Sequence, residues 1–257
     1  MQRRETRQGA GLAWIALALS LGAILLAMLA GLGTGQGWWA FGSGLAALRY
    51  LFFAAIAGSL LGLFARFRRK DGQMIAVLAI ILGVGFAAYL GNFYRVARSV
   101  PAIHDVTTDL DDPPQFAVLP PRSDNLDKIP DLGRPGFAQL PPEERWKAVH
   151  QDAYGDLRPV RLSIAPAEAI RKAEEVARSK GWAIATSNPA EGRLEATDTT
   201  RFFRFKDDVV VRARPAPGGG SIVDVRSVSR VGVSDLGVNA RRVRSFLTDL
   251  EKSASGR

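Results

Sequence analysis

The run Asp224-Val-Arg-Ser-Val-Ser-Arg-Val-Gly-Val-Ser-Asp-Leu-Gly-Val-Asn-Ala-Arg-Arg242 holds the chain's densest set of side chains able to do chemistry. Asp224, Arg226 and Arg230 are spaced by even numbers of residues, which puts them on one face of a strand. A glycine-containing turn follows, then a helix start that Asp235 or Asn239 is placed to cap. Arg242 falls in the first turns of that helix. Guanidinium groups beside a helix N-terminus suit recognition of phosphate or carboxylate. On the preceding strand Asp208, Val210, Arg212 and Arg214 share a face by the same alternation. The candidate ligand-binding set is therefore Arg212, Asp224, Arg226, Arg230, Asp235 and Arg242. In an anion site, Arg226, Arg230 and Arg242 would converge near the turn at Gly232. The competing expectation is structural: acids and bases alternate evenly enough for each guanidinium to be paired internally, with Asp224, Asp235 or Glu195.

No arrangement in the sequence fixes a reaction, and the catalytic residues stay unassigned. Ser227, Ser229 or Ser234 with His104 and an aspartate would make a nucleophilic triad, which has no fixed spacing, but no G-x-S-x-G surrounds a serine. Glu195 and Asp224 would make an acid–base pair. Nearby arginines would keep both ionised, which suits a structural role better. His104 and Asp105 with Asp109, Asp111 and Asp112 offer metal donors, yet they lie in sequence on a proline-bounded segment without metal-site spacing. No metal and no cofactor are expected. The absence of cysteine excludes thiolate catalysis, Fe–S ligation, Cys-based zinc sites and disulfides.

The net charge of +9 belongs mostly to one part of the chain. Residues 1–95 carry +7 and residues 96–257 carry +2. A nucleic-acid binder concentrates positive charge on its folded domain, so no nucleic-acid partner is expected.

The excess charge flanks apolar runs. Residues 9–32 are 24 residues without a charge, and residues 73–94 form a second such run of 22. Residues 44–65 are apolar except for Arg49, whose stem can snorkel. Each run is long enough for a hydrocarbon core of about 30 Å. Three transmembrane helices are predicted, about 9–32, 44–65 and 73–94, within a region 1–98, with the lipid bilayer as partner. A cleaved signal peptide is the rival for the first run, but its apolar core exceeds the usual length. Arg3, Arg4 and Arg7 precede the first run, and Arg66, Arg68, Arg69 and Lys70 follow the second; only Arg95 and Arg98 follow the third. This bias predicts a cytoplasmic N-terminus and a periplasmic C-terminal part of a bacterial inner-membrane protein. Trp38, Trp39, Phe41 and Tyr50 would lie at the outer interface. Ala54, Gly58 and Gly62 form a small-residue stripe, expected to pack within the bundle. Gly31-x-Gly33-x-Gly35-x-Gly37 follows a membrane helix, not a strand, so it reads as a surface turn and not a phosphate loop.

Nine of the fourteen prolines lie in residues 101–142. Residues 99–156 therefore read as an extended arm, docked on the domain through Phe116, Leu119, Phe137, Leu140 and Trp146, with Pro142 opening a short helix. Residues 157–257 read as an α+β two-layer domain of order βαββββα, an antiparallel sheet with helices on one face. Its strands fall at 158–164, 182–187, 192–199, 207–213 and 221–230, its helices at 166–180 and 238–252. One sheet face is mostly apolar; the other mixes acids and bases.

Four segments carry a resemblance: Ile103-His-Asp-Val-Thr-Thr-Asp-x-x-x-Pro113-Pro-x-Phe116, Leu194-Glu-Ala-Thr, Phe205-x-Asp-Asp-Val-Val-Val-Arg212, and the run from Asp224 to Arg242. Together they resemble the bacterial domain-of-unknown-function family 1499, over about residues 100–250. The resemblance implies an envelope-associated or membrane-anchored protein and brings no activity, cofactor or catalytic residue. It also puts the segment from His104 to Phe116 inside the domain. The expected function is non-catalytic binding of an anionic small ligand or an envelope protein; the alternative is an envelope hydrolase using the Asp/Arg/Ser-rich face.

Overall fold

A computed structural model describes residues 2–68 and 72–256. Arg69 and Lys70 of the basic loop lie outside the described residues, and for Arg3, Arg4 and Arg7 only the backbone is described. Two compact units form, one within residues 1–98 together with 201–204, the other within 99–200 and 205–257.

The first unit holds three helices: α1 (Gln2–Gly35), α2 (Phe41–Arg68) and α3 (Gln73–Ser99). Each is long and apolar enough to cross a membrane. They outrun the predicted spans because no proline or other breaker stops them at the last apolar residue. Small residues set the packing. A Cβ on Gly58 would strike Ser20 and the Ala16 carbonyl of α1, and one on Gly62 would press on the Ala76 carbonyl of α3. The predicted stripe thus lets both neighbours approach α2 closely. Of the glycine run only Gly37, at φ +73°, lies in the expected turn; α1 continues through Gly35. Trp39 folds back over Gly33, donating from Nε1 to the Ala30 carbonyl and to Thr34 Oγ1.

The second unit is an antiparallel sheet with helices packed against it. Its strands are β1 (Asp105–Thr107), β2 (Val160–Leu162), β3 (Ala183–Asn188), β4 (Arg193–Thr199), β5 (Lys206–Pro215) and β6 (Ser221–Ser229). The order is β1-β6-β5-β4-β3, with β2 taking the other half of the β6 edge that β1 uses. Gly192 has φ +66°, and a Cβ there would overlap the Ala213 carbonyl, so only glycine fits this turn beside β5.

Leu194, Ala196, Val209, Val211, Ala213, Val223 and Val225 form the apolar sheet face. It is covered by α5 (Pro166–Ser179) and α6 (Val238–Ala254), with Trp182 stacked on Phe246 at 5.2 Å. The i, i+3, i+7 stripe of Ile170, Ala173 and Ala177 is fully buried, as amphipathic spacing requires.

The proline-rich segment is part of this body. Ile103, Val106, Ile129, Phe137 and Trp146 belong to the same core cluster as the sheet residues. It contributes β1 and a helix, α4 (Pro142–Tyr154), that buries Trp146, Val149, His150 and Tyr154. Strand β1 was not predicted, because three residues are too few to show alternation.

Candidate functional site

The β5/β6 register pairs Asp208 with Val228, Val210 with Arg226, and Arg212 with Asp224. It therefore gathers Arg212, Asp224 and Arg226 on the sheet face opposite α5 and α6, as alternation predicted. Continuing from the edge strand β1, residues 109–122 lie across that face, and nearly every charge beneath them has a partner.

Arg226 and Asp105 form a bidentate pair, 2.9 and 2.7 Å, with side chains only 10% and 1% exposed. Burial works against the Arg226 charge, and Asp105 more than restores it, leaving the pKa raised. The Arg226 guanidinium also lies 5.8 Å from the Trp146 ring and 6.0 Å from Phe116. Asn125 donates to Asp105 Oδ2 at 2.6 Å, and Trp146 Nε1 donates to the Asp105 carbonyl at 2.9 Å. Beside β1, the Thr107 N–H donates to His150 Nε2, and burial pushes that imidazole down to about 4.

Arg212 reaches Asp224, Asp112 and Asp109, and Arg214 reaches Asp224 and Asp109. Burial raises the Asp224 pKa, against the pull of the two guanidiniums. Glu195, fully buried, accepts from the backbone N–H groups of Ala117, Val118 and Leu119 at 2.6, 3.0 and 2.8 Å. One carboxylate thus clasps three consecutive residues of the arm.

The structure does not bring Arg226, Arg230 and Arg242 together. Arg230 pairs with Asp208 at the end of the charged face, in two bonds of 2.7 and 2.8 Å, and that hydrogen bonding raises its pKa. Arg242 lies on the opposite, helix-covered side. There it pairs with Asp207 at 2.6 Å and Asp198 at 2.8 Å, and contacts Ser227 and Asn239. Asp235 accepts from the N–H groups of Gly237 and Asn239 and so ties down the start of α6. Its pKa is raised by burial, against those two bonds. Ser227 and Ser229 bond to Asn239, and Ser234 accepts from the Leu236 N–H. Among the described residues, none of these three hydroxyls bonds to a histidine ring; Ser229 meets His104 only through the backbone, its N–H donating to the His104 carbonyl at 3.0 Å.

Arg122, not singled out in the sequence, is the residue that reaches the Gly232 turn. Its Nη2 donates to the Gly232 carbonyl at 2.6 Å and to His104 Nε2 at 2.9 Å. His104 Nδ1 lies 3.1 Å from the Val233 carbonyl, and its Nε2 lies 3.1 Å from Asn125 Oδ1. Next to Arg122 a cleft of about 350 Å³ opens at the end of the charged face. Leu119, Pro121 and Val228 give it apolar walls, and Arg122, Arg230 and Asp208 give it charge.

The family model described as protein of unknown function (DUF1499) matches residues 105–250, more than half of the chain. The chain belongs to the DUF1499 family. No curated protein matches it. The DUF1499 region begins at Asp105, the partner of Arg226, and ends at the buried Leu250. All six candidate residues lie inside it; the three apolar helices precede it.

Most pairings escaped the sequence reading. Asp105, Asp109 and Asp112 sit on the arm a hundred or more residues from their arginines. Only the tertiary path of the arm makes them partners. Asp208 was more accessible: β5 and β6 form a hairpin, and its register sets Asp208 diagonal to Arg230.

Proposed function

We propose that this DUF1499 protein is a multi-pass inner-membrane protein with a cytoplasmic N-terminus, whose periplasmic sheet domain binds an envelope ligand or protein without catalysis. The observation that carries the reading is the clasp of Glu195 on the arm. The most plausible acid–base pair on the charged face, Glu195 with Asp224, is committed to three backbone N–H groups and two guanidiniums. Carboxylates engaged in this way position the arm and the strands beneath it and face no reacting group. Of the six candidate residues, Arg230 lines the open cleft, while Arg212, Asp224, Arg226, Asp235 and Arg242 hold the surrounding backbone in place.

Reporter fusions after residue 70 and after residue 98 test the placement. The first is expected to read cytoplasmic and the second periplasmic, and the reverse would overturn it. For the absence of catalysis, the full chain and its Ser227→Ala, Ser229→Ala and Ser234→Ala variants are assayed on ester and phosphodiester substrates. No variant-sensitive turnover is expected. Turnover lost in a variant that still folds would establish the hydrolase instead.

A further inference from the structure

Charge is not spread evenly along the roofed face. At one end Arg212 and Arg214 face three carboxylates, Asp109, Asp112 and Asp224. In the middle Arg226 and Asp105 balance. At the cleft two guanidiniums, Arg122 and Arg230, meet one lining carboxylate, Asp208, and a second carboxylate, Asp124, lies 3.1 Å from Arg122. Both Asp208 oxygens are already occupied, one by Arg230 and the other by Arg230 and Thr197.

Arg122 is held by the Gly232 carbonyl and the His104 ring. Its Nε lies 3.1 Å from the exposed Asp124 carboxylate but is not aligned for a hydrogen bond, and it has no other partner among the described residues. The arginine is thus fixed in direction and keeps donor capacity, which is how a preorganised anion contact is built. The remaining walls are apolar. Leu119, Pro120, Pro121 and Val228 line the cleft. At about 350 Å³ the space is at the small end for ligand sites.

We propose that this cleft binds a small carboxylic acid with a short apolar body, its carboxylate between Arg122 and Arg230 and its body along Leu119, Pro121 and Val228. Arg122 and Arg230 each keep an Nη1 with no partner among the described residues, and two such donors match one planar carboxylate. The proposal rests on the binding reading of the domain and names its ligand class.

The test is a ligand-observed NMR titration of the full chain in maltoside micelles, with empty micelles as the blank. Hexanoate carries both features, acetate only the charge and hexanol only the chain. Hexanoate is expected to saturate and to bind at least about tenfold more tightly than either. Leu119 contributes only its backbone N–H to the clasp, so its side chain can be changed without removing a charged pair. Leu119→Glu is expected to weaken hexanoate about tenfold or more, and the neutral Leu119→Gln by no more than about threefold. Pro121→Glu, which removes no backbone donor, repeats the test if Leu119→Glu does not fold. Equal affinity for hexanoate and the two half-ligands, or hexanoate binding indifferent to the added carboxylate, overturns the proposal. If hexanoate fails while the reporter fusions and serine variants behave as expected, the ligand class falls and the non-catalytic periplasmic reading stands.

Discussion

The two faces of the sheet are both closed, by opposite means. One buries valine, leucine and alanine under α5 and α6; the other buries carboxylates and guanidiniums under residues 109–122. The apolar side gains from any close packing, since burial free energy follows area and has little direction. The charged side gains only if each group meets its partner, because an ion left alone in a dry interior costs several kcal/mol. An apolar cover can repack; a charged cover must hold one arrangement. That requirement gives the arm a defined path and leaves the cleft by Arg122 with a defined shape.

The comparison is tested hardest at Arg226. Arg226→Ala strands Asp105, which is 1% exposed, and is expected to cost about 3–5 kcal/mol in urea unfolding. Arg226→Met with Asp105→Leu should recover most of that loss. A double variant as unstable as the single one would mean that the pair contributes more than mutual neutralisation. Leu194, on the apolar face and 1% exposed, gives the contrast. Leu194→Ala should cost about 2–5 kcal/mol, by the same amount at high and low salt. Salt sensitivity there would blur the distinction between the faces.

Between pH 6.5 and about 4, acid should act through His150 on the arm side. His150 accepts from Thr107 and is neutral when folded, its pKa depressed from 6.5 to about 4. The unfolded chain therefore binds the proton first. This contribution is complete above pH 6.5, is lost as pH falls toward 4, and is flat below. The total is roughly 3 kcal/mol. His150→Gln should flatten that window of the stability–pH curve, whereas Leu194→Ala should only shift it down. An unchanged slope in His150→Gln would contradict the assignment. At the rim the effect should be least. The Arg230 side chain is 41% exposed, so solvent screens its pair with Asp208, and Arg230→Ala should cost under about 1 kcal/mol in thermal unfolding. A loss as large as that of Arg226→Ala would mean that the rim is as dry as the centre.

Much of this frame was legible from spacing. Even intervals along β5 and β6 sorted Arg212, Asp224 and Arg226 onto one face before any contact was known, and length with apolarity marked the three spans. The partners were not legible, because pairing across a hundred residues depends on where the arm runs, and neither proline content nor local periodicity encodes that path. Arg242 shows the limit in another way. Its place in the first turns of α6 was readable, but the turn at Gly232 carries the chain across the sheet, so proximity to Arg230 in sequence becomes separation by a β-layer. Glu195 looked like one half of an acid–base pair because its three acceptor bonds go to backbone groups, which no side-chain pattern reveals.

Hydrogen exchange at the amides of Ala117, Val118 and Leu119 tests the closed charged face most directly. In the full chain these three should be protected far beyond the exposed parts of the arm. Glu195→Gln, which removes the charge that receives them, should release all three while the amides of Val209 and Val211 keep their protection. Exchange in the unmodified protein at the rate of an open loop would contradict the account, since the arm would then not be clasped and the charged face would stand open to water.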